Sequence, residues 1–132
     1  MSGRFWISIA ALLGGVAVAA GAIGAHALGD AVSAESKRMF STGQQYHLLH
    51  ALALLSAGIV LLQSEGRRAR FSTWFLHFAA IAFLIGIVCF SGGLYVQVAK
   101  GLSSSAGIVP FGGMALMAGW AALAIGALGV RR

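Results

Sequence analysis

No Asp, Glu, Lys or Arg interrupts the chain between Arg4 and Asp30. A hydrocarbon core about 30 Å thick is crossed by about 20 apolar residues in helical form, so this run is long enough to span it. Three further apolar stretches follow, giving spans over about 5–25, 44–63, 73–98 and 109–130. No water is available inside a bilayer to satisfy an open strand edge, so each span must be a helix. The sequence therefore predicts an all-α membrane protein, a single transmembrane domain of four helices in an up-down-up-down bundle. The third span is the longest and is read as tilted or as extending past the bilayer. Only 9% of the 132 residues are charged and 59% are hydrophobic, where a soluble domain carries about 25% charged residues. No room is left for a soluble catalytic domain.

Topology follows from the nine Lys and Arg residues. Arg4, Arg67, Arg68, Arg70, Arg131 and Arg132 fall on one side of the four spans, and Lys37, Arg38 and Lys100 on the other. By the positive-inside rule, counted over short loops, both termini are expected in the cytoplasm. The net charge of +6 is scattered over loop ends with no flanking run of stacking aromatics. Anchoring to anionic lipid head groups on the cytoplasmic side accounts for it, and nucleic acid is discounted as a partner. Arg4, the apolar run and the Gly24-Ala25-His26-Ala27 segment resemble a secretory signal, but the run exceeds the usual signal core, so the first span is expected to be retained. Cys89 is the only cysteine, which excludes an intrachain disulfide.

Helices in lipid associate through close backbone approach, which small residues at four-residue spacing permit. The first span carries Ala11, Gly15 and Ala19, and beside them Ala17, Gly21 and Ala25; the fourth carries Ala115 and Gly119, then Ala118, Ala122 and Gly126. Packing within the chain is favoured for these stripes over homodimerisation. A homo-oligomer, or membership of a larger membrane complex, stays open. Interfacial anchoring is expected of Phe5, Trp6, Phe71, Trp74 and Phe75 inside and of Tyr95 and Phe111 outside. Trp120 lies near the middle of its span, where its indole N–H needs a partner or its ring packs as a wedge against the glycines. The polar connection 29–43 holds Asp30, Glu35, Lys37 and Arg38 beside Val32, Met39 and Phe40. Ser33 is placed to cap a short helix there, lying in the membrane interface as a lid over the bundle.

With both termini inside, Gln44, Gln45, Tyr46, His47 and His50 of the second span converge in the outer half of the bundle with Ser91 and Tyr95 of the third. His26, at the end of the first span, and Pro110, Gly112 and Gly113 of the fourth join them. Gln44, His47 and His50 are spaced by three residues, and Ser91 and Tyr95 by four, so each set shares one side of its helix. Counted from a helix start at Gln44, the histidines would lie one to two turns deep.

Ionisable groups at membrane depth are functional candidates. His26, His47 and His50 together have the donor type of a three-histidine zinc or copper site, with Tyr46 or a water as a further ligand. Neither carboxylate nor second cysteine accompanies them, and hydrogen bonding across helices is the favoured reading. A bis-histidine haem would need ligands on opposed helices and room for the macrocycle. His77, near the inner start of the third span, is expected to snorkel toward the interface. The inner half holds few polar residues, which disfavours a transport path. No embedded carboxylate and no activated-nucleophile motif is present, so an enzyme is disfavoured, and the cofactor is left open.

Four motifs carry a family resemblance. They are Gly-Ala-Ile-Gly-Ala-His-Ala-Leu at 21–28, Gln-Tyr-His-Leu-Leu-His-Ala-Leu-Ala-Leu-Leu at 45–55, Phe-Ser-Gly-Gly-Leu-Tyr at 90–95 and Pro-Phe-Gly-Gly-Met-Ala-Leu-Met-Ala-Gly-Trp at 110–120. Over nearly the whole chain the sequence resembles the bacterial domain-of-unknown-function 423 family, which includes the eukaryotic transmembrane protein 256. The resemblance implies a small four-span protein of the bacterial inner (cell) membrane with no established activity. Its motif positions correspond to Gly24, His26, Gln45, His47, His50, Ser91, Tyr95, Pro110, Gly112, Gly113 and Trp120. A non-enzymatic structural or interaction module is the leading expectation; a metal, haem or small polar ligand in the histidine layer is the alternative.

Overall fold

The computed structural model describes residues 1–26, 28, 32–64, 70–100 and 107–129. Arg67, Arg68, Arg131, Arg132 and most of the Ser- and Gly-rich connection 101–107 lie outside the described residues. Helix α1 is Gly3–His26, α2 is Ala34–Ser64, α3 is Arg70–Gly86, α4 is Gly92–Lys100 and α5 is Ile108–Leu128. A π-helical turn, Ile87–Ser91, joins α3 to α4, so that Phe71–Lys100 forms one continuous span. Among the described residues, four helices are thus long and apolar enough to cross a membrane.

Contacts between helices give their directions. Gly3 of α1 lies against Gly58 and Leu62 of α2, and Gly24 against Phe40, so α1 and α2 run antiparallel. Gly43 of α2 meets Leu94 and Tyr95, whereas His50 meets Phe83. Gly112 of α5 meets Phe90, and Gly126 meets Leu76. Each helix therefore reverses the one before it. The chain forms two antiparallel hairpins, α1–α2 and α3/α4–α5, packed through α2 and the third span. Half of the apolar window of each central span is buried, against 17% for α1 and 22% for α5.

The core is made largely of alanine. Trp6 and Ala10 of α1, Ala53, Leu54, Ala57 and Leu61 of α2, Leu76, Ala79, Ala80 and Phe83 of α3, and Leu116 and Ala122 of α5 form one cluster. In lipid no hydrophobic force draws helices together, so close packing of small side chains is what holds them. At Gly112 the approach is closest to backbone: an added Cβ would lie 2.8 Å from the Cys89 carbonyl carbon and 2.9 Å from Phe90 Cα in the π turn. Gly119 and Gly126 lie at successive seven-residue steps on the same face, against the Phe83 ring and Leu76. Near the opposite end of α5 the Ser72 hydroxyl donates to the Gly126 carbonyl at 2.5 Å. Ser72→Ala should destabilise the protein by about 1 kcal/mol, the scale of an interhelical hydrogen bond in lipid. Thermal unfolding in detergent reads this directly; an unchanged midpoint would remove the bond from the account.

Several expectations are corrected. The polar connection does not form a separate interfacial helix. The Ser33 hydroxyl accepts the Ser36 N–H at 3.2 Å, as an N-cap does, but the helix it starts runs unbroken from Ala34 to Ser64. No proline stands between them, and Gly43 is a close-approach residue within the helix. Of the two small stripes on α1, Ala17 is buried and Gly21 meets the Gln44 side chain. Ala11, Gly15 and Ala19 face outward, and a Cβ on Gly15 would meet nothing within 4 Å, so Gly15 does not pack within the chain. Trp6 is not an interfacial anchor: it is 1% exposed and belongs to the core cluster.

Candidate functional site

Gln44, His47 and His50 lie on α2, and Ser91 and Tyr95 flank the exit from the π turn. His47 and His50 are buried, as is Ser91. Gln45 faces outward and reaches only Ser41, at 3.4 Å. The Tyr46 ring is exposed and packs on Phe90 with centroids 4.7 Å apart.

Both ring nitrogens of His50 are engaged. The Trp120 indole N–H donates to Nε2 at 3.1 Å. Since Nε2 accepts, the ring is neutral and its proton sits on Nδ1, which donates to the Tyr46 carbonyl at 2.7 Å. Such a ring has no lone pair left for a metal. His50 also lies 5.9 Å from Phe83, which makes an edge-on contact with Trp120 at 5.4 Å. Trp120 is therefore a half-exposed partner of a histidine rather than a wedge against glycine.

The Tyr95 hydroxyl lies 3.4 Å from His47 Nδ1. Gln44 Nε2 donates to the Ala17 carbonyl at 3.3 Å and ties α1 to α2. At the far end of the bundle the Trp6 indole N–H donates to His77 Nδ1 at 3.1 Å, so His77 is held by α1 instead of snorkelling freely. A pattern connects these bonds: Trp6 to His77, Trp120 to His50 and Tyr95 to His47 each run from one hairpin to the other. His47 and His50, which are buried, and His77, which is half-buried, each serve as a clasp.

The layer sits well along both helices from their ends. His50 lies sixteen residues into α2, about 24 Å along its axis from Ala34. Its partner Trp120 is twelve residues into the 21-residue α5. His26 does not join it. It is exposed at the end of α1, and its neighbour Gly24 packs on Phe40, seven residues and about 10 Å of rise before His47. Among the described residues no group of three His, Cys, Asp or Glu is arranged to hold a metal ion. The structure therefore does not bring His26 together with His47 and His50.

A Cβ added at Gly113 would make ordinary contact with the Phe90 ring at 3.7 Å, whereas one added at Gly24 would be crowded by Phe40. A cavity of about 220 Å³ opens between the end of α1 and the start of α2, lined by Gly21, Gly24, Lys37, Phe40, Ser41 and Gln44 among others. It touches the layer only at Gln44. Sequence reasoning passed over Gly43, Gly58 and Gly86, which admit Tyr95, Trp6 with Ile7, and Leu116. Their signal was faint, because single glycines in alanine-rich spans form no stripe. It also passed over the pairing of Trp6 with His77.

Residues 20–113 match the family described as "Protein of unknown function (DUF423)". The chain belongs to the DUF423 family. It is 34% identical over 132 residues to the UPF0382 inner membrane protein YgdD of Escherichia coli, covering 100% of this chain and 95% of that one. The UPF0382 membrane protein YwdK of Bacillus subtilis is 31% identical over 125 residues, 95% of this chain and 97% of its own. A UPF0382 membrane protein of Haemophilus influenzae is 32% identical over 122 residues, with 92% and 91% covered. No solved structure matches. This DUF423 protein is, like these relatives, a small integral membrane protein.

Proposed function

We propose that the protein is a non-enzymatic structural or interaction module of the bacterial cell membrane, with both termini on the cytoplasmic side. The observation that carries this reading is that His47, His50 and His77 each bond across the two hairpins. Groups engaged in holding helices together are not presented to a substrate. With its Nδ1 proton on a carbonyl and its Nε2 under an indole, His50 offers neither a general base nor a metal ligand. Among the described residues no carboxylate lies within a span's interior. The orientation rests on six basic residues against three across short loops.

Native mass spectrometry of the protein released gently from its own membrane tests the function. The bare chain, a multiple of it, or a protein complex is expected. Stoichiometric zinc, copper or haem that disappears in His47→Gln would overturn the structural reading. Reporter fusions test the orientation. A fluorescent reporter after residue 132 should fold in the cytoplasm, and alkaline phosphatase inserted at residue 104 should be active outside. The reverse pair of results would invert the topology.

A further inference from the structure

Two polar atoms in the layer face no partner. His47 Nε2 and Ser91 Oγ are both buried and without a hydrogen bond, in residues only 4% and 1% exposed. The helix register brings them to one level. Gly43, one turn before His47, lies against Leu94, Tyr95 and the Ser91 carbonyl, and Tyr46 packs on Phe90. The next turn of α2 therefore faces the exit of the π turn. Tyr95, one turn beyond Ser91, already reaches His47 through its hydroxyl.

A buried donor or acceptor in a low-dielectric interior is unfavourable unless it is paired, and small polar sites in proteins are usually completed by water making two to four hydrogen bonds. The π turn adds to the case, since such turns widen the helix and recur at binding sites. We propose that His47 Nε2 and Ser91 Oγ form a site for one neutral hydrogen-bonding molecule of water size, water itself, held between α2 and the π turn. The ligand class follows from the groups present. Among the described residues of this layer there is no Lys or Arg to hold an anion and no carboxylate to hold a metal. An imidazole nitrogen and a hydroxyl each supply one bond to a molecule that both donates and accepts. The site differs from the clasp at His50, whose two ring nitrogens are already occupied. It survives whether or not the structural role proposed above holds.

The test is solid-state NMR of the protein, labelled with 15N-histidine, in lipid bilayers, with transfer of magnetisation from water to the imidazole nitrogens. His47→Gln assigns the His47 signals, and His50 and His26 in the same sample act as references. Transfer to His47 Nε2 is expected, slower to exchange than at exposed His26, with none to His50. Ser91→Ala should reduce the His47 transfer several-fold while the His50 signals, reporting the Trp120 bond, stay in place. Loss of those signals would mark a misfolded variant, and the comparison of His47 with His50 in the unmodified protein then decides alone. Absence of transfer to His47, or exchange as fast as at His26, would overturn the proposal. So would a correctly folded Ser91→Ala protein with undiminished transfer.

Discussion

Gly112→Ala should destabilise the protein by about 3 kcal/mol, at the upper end of what a single overpacked methyl usually costs. The methyl would enter the backbone of the π turn at Cys89 and Phe90. A flexible side chain could rotate away, but backbone cannot retreat without moving α5 off the third span. Alanine is the better helix former by about 1 kcal/mol, and that gain is too small to offset the separation of two helices. Gly15→Ala makes the matching control, because its methyl meets nothing within 4 Å. It should leave the protein as stable as before or more stable by up to about 1 kcal/mol. Unfolding midpoints in one detergent, with the fraction recovered as a monodisperse species, compare the two. Equal midpoints for Gly112→Ala and Gly15→Ala would mean that α5 does not pack on the π turn.

His50→Ala should cost about 2–4 kcal/mol, for two reasons that act together. A buried ring in contact with Phe83 is removed, and truncating buried side chains costs on this scale. The Trp120 N–H also loses its acceptor. Trp120→Phe keeps most of the aromatic surface and leaves His50 Nε2 unpaired, for about 1 kcal/mol. Residues in direct contact do not add independently. The double variant should therefore be less destabilised than the sum of the single ones by about 0.5–1.5 kcal/mol, near the upper range for interhelical hydrogen bonds in lipid. A double-mutant cycle by unfolding in bicelles measures this coupling. A coupling of zero would separate the two residues energetically and undo the clasp between the hairpins.

The membrane class, the four helices and their alternation were legible in the sequence because each depends on a property summed along the chain. Twenty apolar residues in a row leave a backbone no option but helix, and short connections force neighbours to run antiparallel. The beginning of α2 differs from the sequence expectation for a local reason. Glu35, Lys37 and Arg38 mark where the chain leaves the hydrocarbon, and their polarity resembles a break in the helix. Charged side chains end a membrane span without ending a helix, and the Ser33 cap was the better marker of the start.

His47, His50, Ser91 and Tyr95 could be singled out by residue type and depth alone, whereas their partners could not. Trp120 is 70 positions from His50, Tyr95 is 48 from His47 and Trp6 is 71 from His77. Three-residue spacing made His47 and His50 look like one set. Their rings nevertheless turn to different partners, His50 to α5 and His47 to α4. Small-residue stripes were ambiguous in the same way: Ala17 with Gly21 and Ala11 with Gly15 have the same spacing, yet only the first faces α2. The sequence by itself determined the solvent of this protein, the number of its helices and their alternation, because the hydrophobic effect and backbone satisfaction act on each segment separately. Which glycines admit a neighbour, which histidine meets which tryptophan, and where a π turn leaves Ser91 facing α2 were decided only by the tertiary structure, because these depend on the rotation and register of one helix against another.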